Sequence, residues 1–147
     1  MSYWTGKVVI KTEDERGKVK KTTEQFLIDL QYQEHLKDED RVENISEFIN
    51  VINAIGLLYE KKGELELALQ EYEKGIALEE IAPKSAVYCY NNRAIIFEEQ
   101  EQYDKALADY TKAIELDPEK PISYANRAMF YSERDNKLLA LIDYSKS

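Results

Sequence analysis

A stretch from Val87 to Lys120 recurs along this chain with a fixed period. Ala106 and Tyr110 return as Ala140 and Tyr144, 34 residues further on. The preceding half of the stretch repeats at the same spacing, since Tyr90-Asn91-Asn92-Arg93-Ala94 comes back as Tyr124-Ala125-Asn126-Arg127-Ala128. Small and aromatic residues held at such offsets constrain the chain to a stack of short helical units, each burying its apolar face against the next. A stack of this kind fixes a surface and leaves its ligand open, so the sequence points to a binding architecture before it points to a partner.

Upstream of the repeat, Asp40 followed by Glu43 matches a capping box, in which the Asp side chain accepts a backbone N–H and the Glu reaches back. A helix is expected from about Arg41. Val42, Ile45, Ile49, Ile52, Ile55 and Tyr59 recur at steps of three and four, the spacing that keeps an apolar stripe on one helix face, until Gly63 ends it. A second helix is expected from about Glu64, carrying Leu65, Leu67, Ala68, Leu69, Tyr72, Ile76 and Leu78 and stopping before Pro83. The N-terminal part reads differently. Residues 4–12 and 18–28 are rich in β-branched and aromatic types around a turn at 13–17 that ends in Gly17, which predicts a β-hairpin. A lone two-stranded ribbon is marginal in water, so Trp4, Phe26 and Ile28 are expected to be covered by the first helices or by a second copy. Two domains follow: a hairpin and connector over 1–38, and a helical repeat domain over 39–147.

The alternation of Ile52, Ile55-Gly56, Tyr59, Ala68, Tyr72 and Gly75 in the first unit resembles the tetratricopeptide repeat, a helix-turn-helix of about 34 residues. Tyr90, Ala94, Phe97, Ala106, Tyr110, Ala113 and Pro118 carry the same pattern in the second unit, and Tyr124, Ala128, Tyr131, Ala140 and Tyr144 in the third. The resemblance covers about two thirds of the chain and implies a mostly α solenoid of three units, 49–82, 87–120 and 121–147, the last incomplete. Gly56, Ala94 and Ala128 would be the small residues where paired helices cross. The first 29 residues resemble the start of a family of small uncharacterised bacterial proteins, some prophage-associated, through Trp4, Lys7-Val8, Gly17-Lys18 and Phe26-Leu27-Ile28-Asp29. That likeness implies no activity.

Three features depart from the repeat pattern. Ala68 and Ala106 are 38 residues apart, four more than the period, and one added turn on the first unit's second helix would absorb them. Unit three stops seven residues short of a full period at Ser147. Leu138, Leu139, Leu141 and Ile142 crowd its last helix, which is expected to be covered by a second copy or by further chain. Arg93 and Arg127 occupy a place usually held by leucine. Their stems are expected to pack between helices while their heads reach neighbouring carboxylates.

In the resembled family the first helix of each unit lines a concave groove. Mapped here, unit one offers Asn50, Asn53, Ala54, Leu57 and Glu60. Unit two offers Tyr88, Asn91, Asn92, Ile95, Glu98 and Glu99, and unit three Ile122, Ala125, Asn126, Met129 and Glu133. Within this set the expected peptide-binding groove is Asn53, Leu57, Tyr88, Asn91, Asn92, Ile95, Glu98, Glu99, Asn126 and Met129. Amides suit an extended peptide because one Asn side chain both donates to a carbonyl and accepts from an N–H. Asn92 is the leading candidate, with a hydrogen bond between neighbouring helices as its equal alternative. Some relatives hold the C-terminal carboxylate of chaperone tails with lysines, an arginine and asparagines. Asn92 matches one such asparagine, but the remaining places hold Asn53, Leu57, Ile122 and Asn126, which removes the cations and argues against that ligand.

Charge and single residues exclude other classes. The net charge is −9, which disfavours nucleic acid as a ligand and favours a neutral or basic protein partner. Residues 1–25 carry +2 of this balance, read as a solvated hairpin face, and no run is apolar and long enough for a membrane span. With no apolar leader at the N-terminus, a cytoplasmic location is the default. Cys89 is the only cysteine and His35 the only histidine, so neither a disulfide framework nor a catalytic pair is available. The acidic clusters at 13–15, 38–40, 79–80 and 98–101 lack the spacing of a calcium loop and read as solvated faces. No catalytic residue, metal site or cofactor is expected. The alternative to a peptide-binding scaffold is a structural protein that self-associates through the hairpin and the uncapped last repeat.

Overall fold

The computed structural model describes residues 38–147. Six helices follow one another within them: α1 (Asp38–Lys61), α2 (Leu65–Ile76), α3 (Pro83–Glu99), α4 (Tyr103–Leu116), α5 (Pro121–Glu133) and α6 (Lys137–Tyr144). Each packs chiefly on its neighbours in the chain, and in addition α1 touches α3 and α3 touches α5. Three antiparallel pairs therefore stack as a short α-solenoid, with α1, α3 and α5 side by side. The expected N-terminal hairpin lies outside the described residues, and no strand occurs among the residues described.

Local sequence sets the helix ends. Pro83 and Pro121 open α3 and α5 at the first helical position, where a missing N–H costs nothing and the fixed φ is already helical. Asn136 caps α6 by accepting from the backbone of Leu139. Each of α1, α3 and α5 closes through one residue in the left-handed region: Gly63 at φ 77°, Glu101 at 59° and Asp135 at 57°. The next amide then bonds back to Tyr59, Phe97 or Tyr131 at 2.9, 2.8 and 2.8 Å, which satisfies a carbonyl left open by the helix end.

Unit one differs from its successors at both ends. Its first helix is already formed at Asp38, so Asp40 sits inside the first turn rather than at the cap. The four extra residues do not lengthen α2, which ends at Ile76; a run of hydrogen-bonded turns through Leu78, Ile81 and Ala82 takes them up instead. Pro83 explains the difference, because it disfavours helical geometry at Ala82 and starts the next helix.

The small residues fall where the pairs cross. Ala94 and Ala128 are fully buried, and Gly56 lies so close to the ring of Tyr72 that a Cβ there would overlap it. Ile45, Phe48, Ile49, Ile52, Tyr72 and Ile96 form the core around units one and two. Phe130 of α5 continues it, with ring centroids 6.0 Å from Tyr110, 6.4 Å from Tyr103 and 5.8 Å from Tyr131. Each large side chain so buried contributes about 2–3 kcal/mol of transfer free energy.

Arg93 and Arg127 behave as their chemistry requires. Arg93 donates from Nε and Nη2 to the two oxygens of Asp109 at 2.8 and 2.9 Å. Arg127 repeats the fork on Asp143 at 2.7 and 2.9 Å, and adds a bond from Nη1 to Thr111 of the unit before. Each fork ties the two helices of its own unit together.

Candidate functional site

Along the surface formed by α1, α3 and α5 lie two recesses that both use α3 as a wall. The first, about 550 Å³, is lined by Asn50, Asn53, Leu57, Lys84, Ser85, Tyr88, Asn92 and Lys120. The second, about 380 Å³, is lined by Ile95, Glu98, Glu99, Tyr110, Asn126, Met129, Glu133 and Arg134. The structure places nine of the ten expected groove residues in these two recesses. Asn53, Leu57, Tyr88 and Asn92 belong to the first, and Ile95, Glu98, Glu99, Asn126 and Met129 to the second.

Asn91 is the exception. It is 4 % exposed and donates to Ser123 Oγ at 3.3 Å, because its position on α3 points between helices toward α5. Its counterpart in unit one, Asn53, is also buried yet lines the first recess. Asn53 Oδ1 accepts from Asn92 Nδ2 at 3.2 Å, so Asn92 does tie α1 to α3. The side-chain Oδ1 of Asn92 makes no hydrogen bond among the described residues.

The apolar floor is exposed at side chains that a soluble surface does not need. Leu57, Tyr88, Ile95 and Met129 are 48, 45, 39 and 54 % exposed, the first two lining the first recess and the last two the second.

Glu98 is less a solvated rim than the sequence suggests, because the Tyr110 hydroxyl donates to it. Unit one repeats this pairing with Tyr72 and Glu60, and Tyr90 donates to Glu79 at 2.8 Å. Burial raises the carboxyls of Glu60 and Glu98 above the ordinary value of 4.5, against the opposing pull of each tyrosine hydroxyl; for Glu98 the nearby Glu133 raises it further. Burial and the facing carboxylate push all three tyrosines up. The Cys89 thiol is pushed up to about 12, mainly by burial, and is packed as an inert small residue.

Three cations of the site were not legible from the repeat pattern. Lys120 Nζ stands 4.1 Å from the centre of the Tyr88 ring, donates to the Lys84 carbonyl at 3.1 Å and lies 3.9 Å from Asp117. Lys84 has no carboxylate within ion-pair distance among the described residues. Arg134 lies over the Tyr103 ring at 3.9 Å and reaches Glu133 at 3.3 Å and Glu98 at 3.8 Å. The signal for the two lysines was their place beside Pro83 and Pro121 at the starts of α3 and α5, outside the core pattern that reveals the repeats.

The charges follow the direction of the helices. Lys84 is in the first turn of α3 and Lys120 immediately precedes α5, while Glu98, Glu99 and Glu133 close the same two helices. No acidic residue occupies the first turn of α3 or α5 and no basic residue the last, whereas α2 has Glu66 in its first turn and Lys74 in its last. Among the described residues no group of His, Cys, Asp or Glu is placed to hold a metal ion. None of their helices is long and apolar enough to cross a membrane.

Stacked helix pairs of this kind define a helical-repeat protein. Models of the tetratricopeptide repeat match residues 49–81, 87–120 and 109–141, and the chain belongs to that family. No match to a curated protein was found.

Proposed function

We propose that this chain is a scaffold that takes an extended peptide or a helix of a partner protein along α1, α3 and α5. Tetratricopeptide repeats in general mediate protein–protein interaction, and proteins built from them are generally not enzymes. The observation that carries the groove reading is the run of Leu57, Tyr88, Ile95 and Met129. These side chains are exposed on the floor of two recesses whose walls supply amides and charges. A partner segment that is neutral or basic overall suits a chain of net charge −9. The test is an affinity pull-down with the intact chain against Ile95→Glu/Met129→Glu. Both side chains are exposed, so the fold is retained, and partners bound by the groove are lost. Retention of the same partners at the same yield refutes the groove.

Self-association is a second reading, favoured by one observation on α6. Leu138, Leu139 and Ile142 are 70, 38 and 44 % exposed. At the equivalent places of α4 the chain has Asp104, Lys105 and Ala108, which remain exposed although unit three stacks on that helix. Stacking of another unit would thus leave these three apolar side chains uncovered, and a second copy is the occupant this reading assigns.

A further inference from the structure

Starting from the groove reading above, we infer that the groove selects a dipolar segment, with an acidic side chain at the Lys84 and Lys120 end and a basic one at the Glu98, Glu99 and Glu133 end. Charges on helices normally oppose the helix dipole, with carboxylates near the N-terminus and cations near the C-terminus. On α3 the order is reversed, with Lys84 in the first turn and Glu98 and Glu99 in the last; α5 has Lys120 at its N-cap and Glu133 in its last turn, followed by Arg134 at the C-cap, while α1 keeps the usual order with Lys61 in its last turn. Lys84, Lys120, Glu98, Glu99 and Glu133 therefore add to the dipoles of α3 and α5, positive where these two helices begin and negative where they end. The helices gain nothing from this arrangement, whereas a ligand of matching polarity gains from both ends at once.

The local groups fit that assignment. The first recess has no carboxylate in its lining and offers two lysines with amides from Asn50 and Asn92. The second gathers three carboxylates around one arginine, and Glu98 and Glu133 crowd each other. A guanidinium or ammonium between them neutralises that repulsion, and Met129 and Ile95 cover its aliphatic stem. From Lys84 to Glu98 the helix rises about 21 Å, a span of about six residues of extended chain.

Short synthetic peptides on one neutral Gly/Ser/Leu background, with two charged residues about six positions apart, supply the test. Four are compared by fluorescence anisotropy on the intact chain: Asp then Lys, Lys then Asp, Lys twice and Asp twice. One of the dipolar orders is expected to bind roughly tenfold more tightly than either like-charged peptide, and less so as salt rises. Lys84→Glu should move the preference toward the Lys–Lys peptide, and Glu99→Lys/Glu133→Lys toward Asp–Asp. Both variants bring the helix ends nearer to the usual charge order, so loss of folding does not stand behind the change. Equal binding of the Lys–Lys and dipolar peptides, no binding of any peptide, or variants that leave the order unchanged overturns the dipolar assignment. In each of those cases the groove itself still stands if Ile95→Glu/Met129→Glu loses its protein partners, so the two failures are distinguishable.

Discussion

Arg93 grips both carboxylate oxygens of Asp109 across the α3–α4 crossing, with the two side chains only 19 and 8 % exposed. Removing one partner leaves a half-buried charge without its complement, which costs more than the pair contributes. Asp109→Ala is expected to lower the unfolding free energy in urea by about 2–3 kcal/mol. Arg93→Leu/Asp109→Ala is expected to recover at least half of that loss, because leucine fills the space of the arginine stem and leaves no charge unpaired. A double variant no more stable than Asp109→Ala would show that the arginine stem, and not its charge, holds the crossing.

The three left-handed helix ends differ in the residue that adopts them. Gly63 is at no disadvantage there, whereas Glu101 and Asp135 adopt a conformation that their Cβ disfavours. Glu101→Gly is expected to raise stability by about 0.5–1 kcal/mol, and Asp135→Gly by less, since aspartate tolerates the region better. Gly63→Ala should lower it by about 1 kcal/mol. Thermal melts of the three variants against the parent check the sign of each.

These turns show why the fold was largely legible. Ala68, Ala106 and Ala140 mark helix crossings, Gly63 a stop and Pro83 and Pro121 starts, and each acts through backbone geometry or close packing that sequence spacing alone reveals. The site was less legible because side-chain direction decides it. Asn53 and Asn91 occupy equivalent places, yet the first touches a recess and the second points wholly into the α3–α5 contact. Lys84 and Lys120 escaped notice because residues at helix starts are not fixed by the repeat, and their common role appears only when α3 and α5 lie side by side. The fate of the extra residues after Ile76 was misread for a related reason: four residues match a helical turn in length, but Pro83 selects a series of short turns.

Gly75 and Cys89 are fitted to one another across the α2–α3 contact. A Cβ at residue 75 would overlap the Cys89 sulfur, which is fully buried and has no solvent to move into. Gly75→Ala is expected to cost about 1–3 kcal/mol, despite the better helix propensity of alanine. Adding Cys89→Ala removes the obstructing sulfur, so the double variant should be more stable than Gly75→Ala alone. Chemical denaturation of the four proteins forms a cycle with a coupling of about 1 kcal/mol or more; an additive cycle contradicts the clash.

Glu60 and Glu98 bring a pH dependence of definite sign. Because burial holds their folded-state carboxyls above the ordinary 4.5, the folded chain takes up protons before the unfolded one does. Their contribution is fully present below 4.5 and is lost as the pH rises through the raised folded value, so stability from these two groups grows as neutral solution is acidified. Glu98→Gln keeps an acceptor for the Tyr110 hydroxyl and removes the titration. Its melting temperature should rise less than the parent's between pH 7 and 4.5. Glu115→Gln, at an exposed position of equal charge, controls for the general loss of negative charge. Identical slopes for Glu98→Gln and Glu115→Gln contradict a special role for the buried carboxyl.

The last helix separates the scaffold reading from the assembly reading. Leu138→Asp/Leu139→Lys/Ile142→Ala gives α6 the residues that α4 already has at the same repeat positions, and all three side chains it replaces are exposed. Within one chain the change removes little packing, so unfolding free energy should stay within about 0.5 kcal/mol per site. Between chains it removes the apolar surface that a second copy would cover and puts charge in its place. If α6 joins copies, the parent has a solution mass above that of one chain by light scattering and the triple variant falls to one chain. A parent already at the mass of one chain ends the assembly reading and leaves the groove along α1, α3 and α5 as the working surface.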